Sequence, residues 1–212
     1  MDTLTLCKPD DWHLHVRDGD ALGSVVPHTA RQFARAIIMP NLKPPVTTTD
    51  MAVSYRQRIL AAVPAGYAFE PLMTLYLTDN TSPAEIISAK QSGIIHGVKL
   101  YPAGATTHSD AGVTDIDNVT AVLAAMEQHG MPLLVHGEAT EPSIDIFDRE
   151  KVFIDKVLTR LVQDFPDLKV VLEHITTADG IQFVQSRERN VAGTITAHHL
   201  LMNRNAMFSG GI

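Results

Sequence analysis

The sequence is short of cysteine, of basic residues and of long apolar runs, and each shortage excludes something. One cysteine, Cys7, in 212 residues rules out an intramolecular disulfide framework and fits a reducing compartment. Lys and Arg number 17 against 24 Asp and Glu, a formal charge of −7, which argues against nucleic acid or an acidic membrane surface as the main partner. No stretch approaches the roughly 18 consecutive apolar residues of a membrane span, so no membrane partner is expected. The opening Met1-Asp2-Thr3-Leu4 lacks the basic start and apolar core of a secretory signal, and a cytoplasmic location is the expectation. No repeat, low-complexity tract or linker divides residues 1–212, which read as a single domain with a good-sized core.

What the chain does have is regular alternation. Short apolar runs at Trp12–His15, Arg35–Met39, Leu72–Tyr76, Gly97–Leu100, Leu133–His136, Lys169–His174 and Val191–Thr196 read as strands. Between them, helices are expected at Ala21–Phe33, Met51–Val63, Pro83–Ser92, Asn118–His129, Arg149–Val162 and Ala178–Arg187. Ser82-Pro83-Ala84-Glu85 has the form of a capping box with proline at the first helical position. Gly130 followed by Pro132 marks a helix stop. Strands this apolar belong to a parallel sheet covered by helices. The chemically active residues fall at the ends of several different strands, which favours a (β/α)8 TIM barrel over an open doubly wound sheet with one switch point. Seven of eight strands can be counted before a loop-like Ser209-Gly210-Gly211-Ile212, so the barrel reads as incomplete, with an exposed edge at the seventh strand.

Five residues have the chemistry of metal ligands. His13 and His15 are two apart on a strand, so both imidazoles face one way. His136 and His174 each close a Leu- and Val-rich run. Neutral imidazoles suit zinc. Lys99, between Val98 and Leu100, is the most diagnostic. A buried lysine has a lowered pKa, and its neutral amine can take up CO2 to form a carbamate anion able to bridge two cations. The bland reading of Lys99 is a pair with a loop carboxylate. Arg17 and Asn41, which follow the first two strands, are suited to gripping a substrate carboxylate. Ala103–Gly112 reads as a mobile lid with Thr106 and Thr107 as donors. His28, His96, His108, His129 and the pair His198-His199, placed in a polar loop, are given structural roles.

Asp11-Trp12-His13-Leu14-His15-Val16-Arg17, Met39-Pro40-Asn41-Leu42, Gly97-Val98-Lys99-Leu100-Tyr101-Pro102-Ala103, His136-Gly137-Glu138 and Leu172-Glu173-His174 resemble the dihydroorotases, in particular the bacterial single-function type within the amidohydrolase superfamily. The resemblance runs along the whole chain. It implies a metal-dependent hydrolase barrel that interconverts N-carbamoyl-L-aspartate and L-dihydroorotate in pyrimidine biosynthesis, using two Zn2+ per chain with a bridging hydroxide. His13 and His15 would bind one zinc and His136 and His174 the other, with N6-carboxylated Lys99 between them. Arg17 and Asn41 would hold the substrate carboxylate, with His15 and His136 nearby and Thr106 and Thr107 on the closing loop. The resemblance also implies a cytoplasmic homodimer acting on a small molecule. It places the family's acid–base aspartate on an eighth strand, beyond Ile212, and residues 191–212 contain no aspartate. Two alternatives stay open: another cyclic-amide hydrolase such as a hydantoinase, and a catalytically silent barrel fragment.

Overall fold

The computed structural model describes residues 3–187 and 189–210; Met1, Asp2 and the last two residues of the expected closing loop lie outside them. Seven strands, β1 (Asp10–Leu14), β2 (Arg35–Ile38), β3 (Glu70–Tyr76), β4 (Ile95–Leu100), β5 (Leu133–Val135), β6 (Val170–Leu172) and β7 (Val191–Gly193), are hydrogen-bonded in sequence order. Every neighbouring pair is parallel, and the sheet curls as an incomplete TIM barrel. Among the described residues β1 and β7 do not pair with each other. The helices α1 (Asp20–Gln32), α2 (Thr49–Ala61), α3 (Pro83–Ser92), α4 (Thr120–His129), α5 (Arg149–Phe153), α6 (Thr159–Asp164), α7 (Ala178–Gln185) and α8 (Ala197–Leu201) follow in alternation.

Local chemistry sets most of these boundaries, and it corrects some expectations. Ser82 Oγ accepts from the Glu85 N–H at 3.3 Å, as a cap should. The reciprocal half of the capping box is absent, because the Glu85 carboxylate instead accepts from the N–H and hydroxyl of Thr49, both at 2.6 Å. That contact ties the start of α2 to the start of α3. The fourth helix opens as a 3-10 turn, Ile116–Val119, and stops at Gly130, whose left-handed φ of 60° costs a glycine little. Between α5 and α6 the chain widens into a π segment, Ile154–Leu158, which accommodates one extra residue per turn. His198 and His199 lie in α8 rather than in a loop. β5, β6 and β7 end earlier than their apolar runs suggested, so His136 and His174 sit just past the ladder.

The alternation of side chains across the sheet places everything that matters. Ala36 and Ile38 of β2, Met73 and Leu75 of β3, Val98 and Leu100 of β4, Leu133 and Val135 of β5 and Val170 and Leu172 of β6 all join the large core beneath the helices. The residues between them, Ile37, Leu72, Leu134 and Val171, with Met39 beyond, form a separate small cluster on the barrel's inner face. Registered neighbours in a parallel sheet share a face, and Lys99 is registered with Leu134, so Lys99 points inward beside that cluster. Continuing each strand by two residues puts Asn41, Tyr101, His136 and Glu173 on the same inner face. In β1 the register shifts between Asp11 and Leu14. The shift sends Leu14 to the helix side, where it packs on the large core, and leaves His13 and His15 facing inward.

The inner cluster is small and closely packed against the charged residues beside it. Leu134→Ala is expected to cost about 2–5 kcal/mol, read as a lower urea midpoint with an unchanged m-value.

Candidate metal centre

Four imidazoles converge in two pairs. His13 Nε2 lies 3.0 Å from His15 Nε2, and His136 Nδ1 lies 3.2 Å from His174 Nε2. The pairs are themselves adjacent, with the His13 and His174 ring centroids 5.1 Å apart. Lys99 is fully buried between them, and its Nζ also lies 5.0 Å from the Tyr101 ring centroid. The sequence therefore brings together all five expected ligands. His174 belongs to the cluster for a different reason from the others. Strand alternation would turn it toward the helices, but its left-handed φ of 44° swings it back inside.

Two carboxylates complete the cluster, and sequence reasoning gave neither a role. Glu173 is buried, pairs with the Lys99 ammonium through Oε2, and sets Oε1 3.0 Å from His13 Nδ1. The His13 contact is off the hydrogen-bond line, so both of its atoms remain without a well-aligned partner. Lys99 thus pairs with a carboxylate, as its bland reading expected, and the partner is Glu173, the first residue past β6. Glu138 Oε2 accepts from His136 Nε2 at 2.9 Å, while Arg149 donates to Glu138 Oε1 at 3.1 Å. This fixes the His136 proton on Nε2 and leaves its Nδ1 lone pair facing His174, the arrangement of a carboxylate orienting a metal-binding histidine. Counting strand alternation forward from Val171 would have found Glu173.

Burial keeps the His15 and His174 rings neutral. Desolvation, reinforced by the nearby His13, Arg17 and Lys99 charges, lowers His15 to about 4, with the Asn41 amide opposing. Desolvation followed by Lys99 and His136 lowers His174 to about 2. Burial also lowers Lys99, with Glu173 opposing it. For Glu173 burial pushes upward, but Lys99 and His13 outweigh it and hold the carboxyl at about 2. The Glu138 carboxyl is held low chiefly by its hydrogen bond from His136 and further by Arg149.

These features fit a metal. Ring nitrogens face one another at 3.0 and 3.2 Å, near the roughly 3.3 Å that two zinc-bound nitrogens about 2.0 Å from one tetrahedral ion would take. Ligand atoms of His13, Glu173 and His174 all lie within 4.8 Å of one another. The His174 turn is itself braced. Buried Glu150 of α5 accepts from the N–H and hydroxyl groups of both Thr176 and Thr177, at 2.6–3.2 Å.

Beside the cluster, Arg17, Asn41 and His108 line a cavity of about 470 Å³. Among the described residues the Arg17 guanidinium has no carboxylate partner. Asn41 Nδ2 donates to the Thr107 carbonyl at 3.2 Å, and His108 Nδ1 meets the Asn41 carbonyl at 3.3 Å. The loop that carries Thr106 and Thr107 is thus tied to the end of β2, and Tyr76 adds a bond to the His108 carbonyl at 3.3 Å. His108, expected to be structural, is part of this latch. Gly112 closes the loop where a Cβ would stand 2.4 Å from the Tyr101 carbonyl oxygen.

The model of the amidohydrolase family matches residues 10–209. The chain belongs to the amidohydrolase family. A curated dihydroorotase from Cupriavidus metallidurans is 70% identical over 209 residues, covering 99% of this chain and 61% of that protein. The chain thus spans about three fifths of the length of the curated relatives it matches. The dihydroorotase of Campylobacter jejuni superposes with a TM-score of 0.88 at 40% identity, covering 97% of this chain and 59% of the other. The dihydroorotase of Saccharomyces cerevisiae, solved with 5-fluoroorotic acid, gives 0.86 at 34% identity, with coverages of 95% and 59%. An L-hydantoinase from Arthrobacter aurescens shares the fold, at a TM-score of 0.77 and 16% identity over 93% of this chain and 49% of its own.

Two outcomes follow for this amidohydrolase centre. Glu173→Gln is expected to weaken zinc binding about 10–100-fold, measured by competition with a chromophoric chelator; unchanged affinity would remove Glu173 from the metal's surroundings. The second concerns the metal-free protein. His15 and His174 are depressed from 6.5 in the folded state, so below about pH 6.5 the unfolded chain binds more protons. Stability is therefore present above that pH and is lost as pH falls toward 4. Urea titrations in EDTA should show a loss on the order of 2–4 kcal/mol between pH 7 and 4.5, and a flat profile would contradict the neutral-ring assignment.

Proposed function

We propose that this chain carries dihydroorotase chemistry, the reversible interconversion of N-carbamoyl-L-aspartate and L-dihydroorotate. The observation that carries the proposal is the joining of a buried lysine and four facing imidazoles to an unpaired arginine beside them. The 70% identity to a dihydroorotase along nearly the whole chain supports the same reading. In it, His13 and His15 hold one zinc, His136 and His174 the second, and Lys99, carrying a CO2-derived carbamate, lies between the two. Bound there, the two ions would polarise the cyclic amide carbonyl and make water nucleophilic near neutral pH.

The chain's own residues bind and orient. The Arg17 guanidinium and the Asn41 amide take the carboxylate that both substrates share, Arg17 through a two-pronged contact. That fixes the ring's remaining amide toward His15 and His136. Glu138 holds the His136 proton on Nε2, away from the ligand cluster. The loop with Thr106 and Thr107, latched by Asn41, excludes water from above. Among the described residues none is assigned the acid–base role. The reading also makes the working protein a cytoplasmic homodimer. It is favoured over a hydantoinase-like activity because hydantoins carry no carboxylate for Arg17 to pair with.

The test is dihydroorotate hydrolysis with zinc and bicarbonate supplied, comparing the wild-type protein with Lys99→Ala. Activity should fall at least about 100-fold in the variant, and dihydrouracil, which lacks the carboxylate, should be a poor substrate for the wild type. Wild-type protein that binds zinc yet hydrolyses neither compound would point to a silent module. Equal turnover of both compounds would point to a hydantoinase-like enzyme.

A further inference from the structure

The turn that carries Arg17 is held in an unusual shape from outside the site. Arg17 has a left-handed backbone, φ 59°, and Gly19 follows at φ 60°. For an L-residue other than glycine that conformation is disfavoured, and it persists only where the surroundings fix it. Here the fixing groups come from a single face of α2. The buried Tyr55 hydroxyl donates to the Arg17 carbonyl at 2.5 Å. Three residues on, Arg58 donates through Nε and Nη2 to the two Asp18 carboxylate oxygens at 2.9 and 2.7 Å. Asp18 Oδ1 in turn accepts from the Gly19 N–H at 2.9 Å. The Arg58 guanidinium also lies 5.4 Å from the Tyr55 ring centroid, so the two side chains support each other.

We propose that Tyr55 and Arg58 form a clamp that shapes the turn of residues 17–19 and so aims Arg17 at the substrate carboxylate. This deepens the dihydroorotase reading and rests on it for the identity of the carboxylate. Both are positioning residues that act through the turn. The clamp also sets the charge of the anchor. Arg58 and Asp18 neutralise each other, which leaves Arg17, with Lys43 at the same cavity, free to select an anionic ligand. Burial pushes the Tyr55 phenol well above its ordinary range, so its hydroxyl remains a donor at neutral pH. The base of the clamp is rigid, because α2 is capped by Thr48 and tied to α3 through Glu85.

The experiment compares Tyr55→Phe and Arg58→Lys with wild type. Tyr55→Phe keeps the ring and its packing but removes the donor, and Arg58→Lys keeps the charge but cannot make the two-pronged contact. For Tyr55→Phe the KM for dihydroorotate should rise about tenfold while kcat changes less than about twofold, with zinc content unaltered. Arg58→Lys should shift KM in the same direction. Amide hydrogen exchange at Asp18 and Gly19 should be faster in both variants. KM and kcat falling together with zinc loss, or both staying at wild-type values, would overturn the clamp. If wild-type protein does not act on dihydroorotate, the functional reading fails on its own, and the exchange rates still decide the clamp: unchanged protection in Tyr55→Phe overturns it.

Discussion

The structure depends on one constraint, the two-residue alternation of strands buried on both faces. A parallel sheet packed under helices must present apolar side chains outward at every second position, and β2 to β6 do so from Ala36 to Leu172 apart from the start of β4, where a register shift puts Ile95 rather than His96 in the core. The positions between are then committed to the barrel interior whatever their chemistry. The same rule that puts Ile37, Leu72 and Leu134 in a dry inner cluster turns Lys99 inward beside Leu134, and turns Asn41, Tyr101, His136 and Glu173 inward past the strand ends. The chemistry is therefore a continuation of the packing pattern past the point where apolar residues stop.

Residues that the ladder does not set are held individually. His174 and Arg17 both have left-handed backbones; His174 would face the helices from a regular strand extension, and Arg17, although in phase with His13 and His15, lies beyond the end of β1 where no ladder fixes it. Each is braced by a side chain from an outer helix. Glu150 of α5 binds the Thr176-Thr177 turn beyond His174, and Tyr55 of α2 binds the Arg17 carbonyl. The barrel fixes the regular positions through its register, and the helices fix the irregular ones through single polar contacts. Loss of one such contact leaves the sheet intact and moves only the residue that it holds.

This division explains what could be read from the sequence. The strand and helix order, the barrel class and the five ligand candidates were legible because each rests on periodicity or on an unusual residue in an apolar run; Lys99 between Val98 and Leu100 is the clearest case. Arg17 and Asn41 were found by their place after strands. Glu173 and Glu138 were overlooked because each stands within two residues of a histidine that drew the attention, although the inward phase of Val171 pointed to Glu173 and not to His174. The left-handed turn at Arg17 and the Glu85 contact with Thr49 in place of its own cap depend on partners far away in sequence. Local pattern carries no trace of such partners.

The Lys99–Glu173 pair bears on the proposed carbamate through charge balance. In the structure one buried ammonium faces one buried carboxylate, and the interior of the barrel is neutral at that point. A carbamate on Lys99 would replace the positive charge with a negative one, leaving two anions side by side where burial already opposes Glu173 being charged. Among the described residues no other Lys or Arg pairs with Glu173, and Arg17 lines the outer cavity. Divalent ions at the histidines would supply the missing positive charge, and an ammonium at Lys99 would repel them. In the proposed reading, metal uptake and lysine modification would therefore depend on each other in this interior, because either change alone would leave a buried charge without its counterpart.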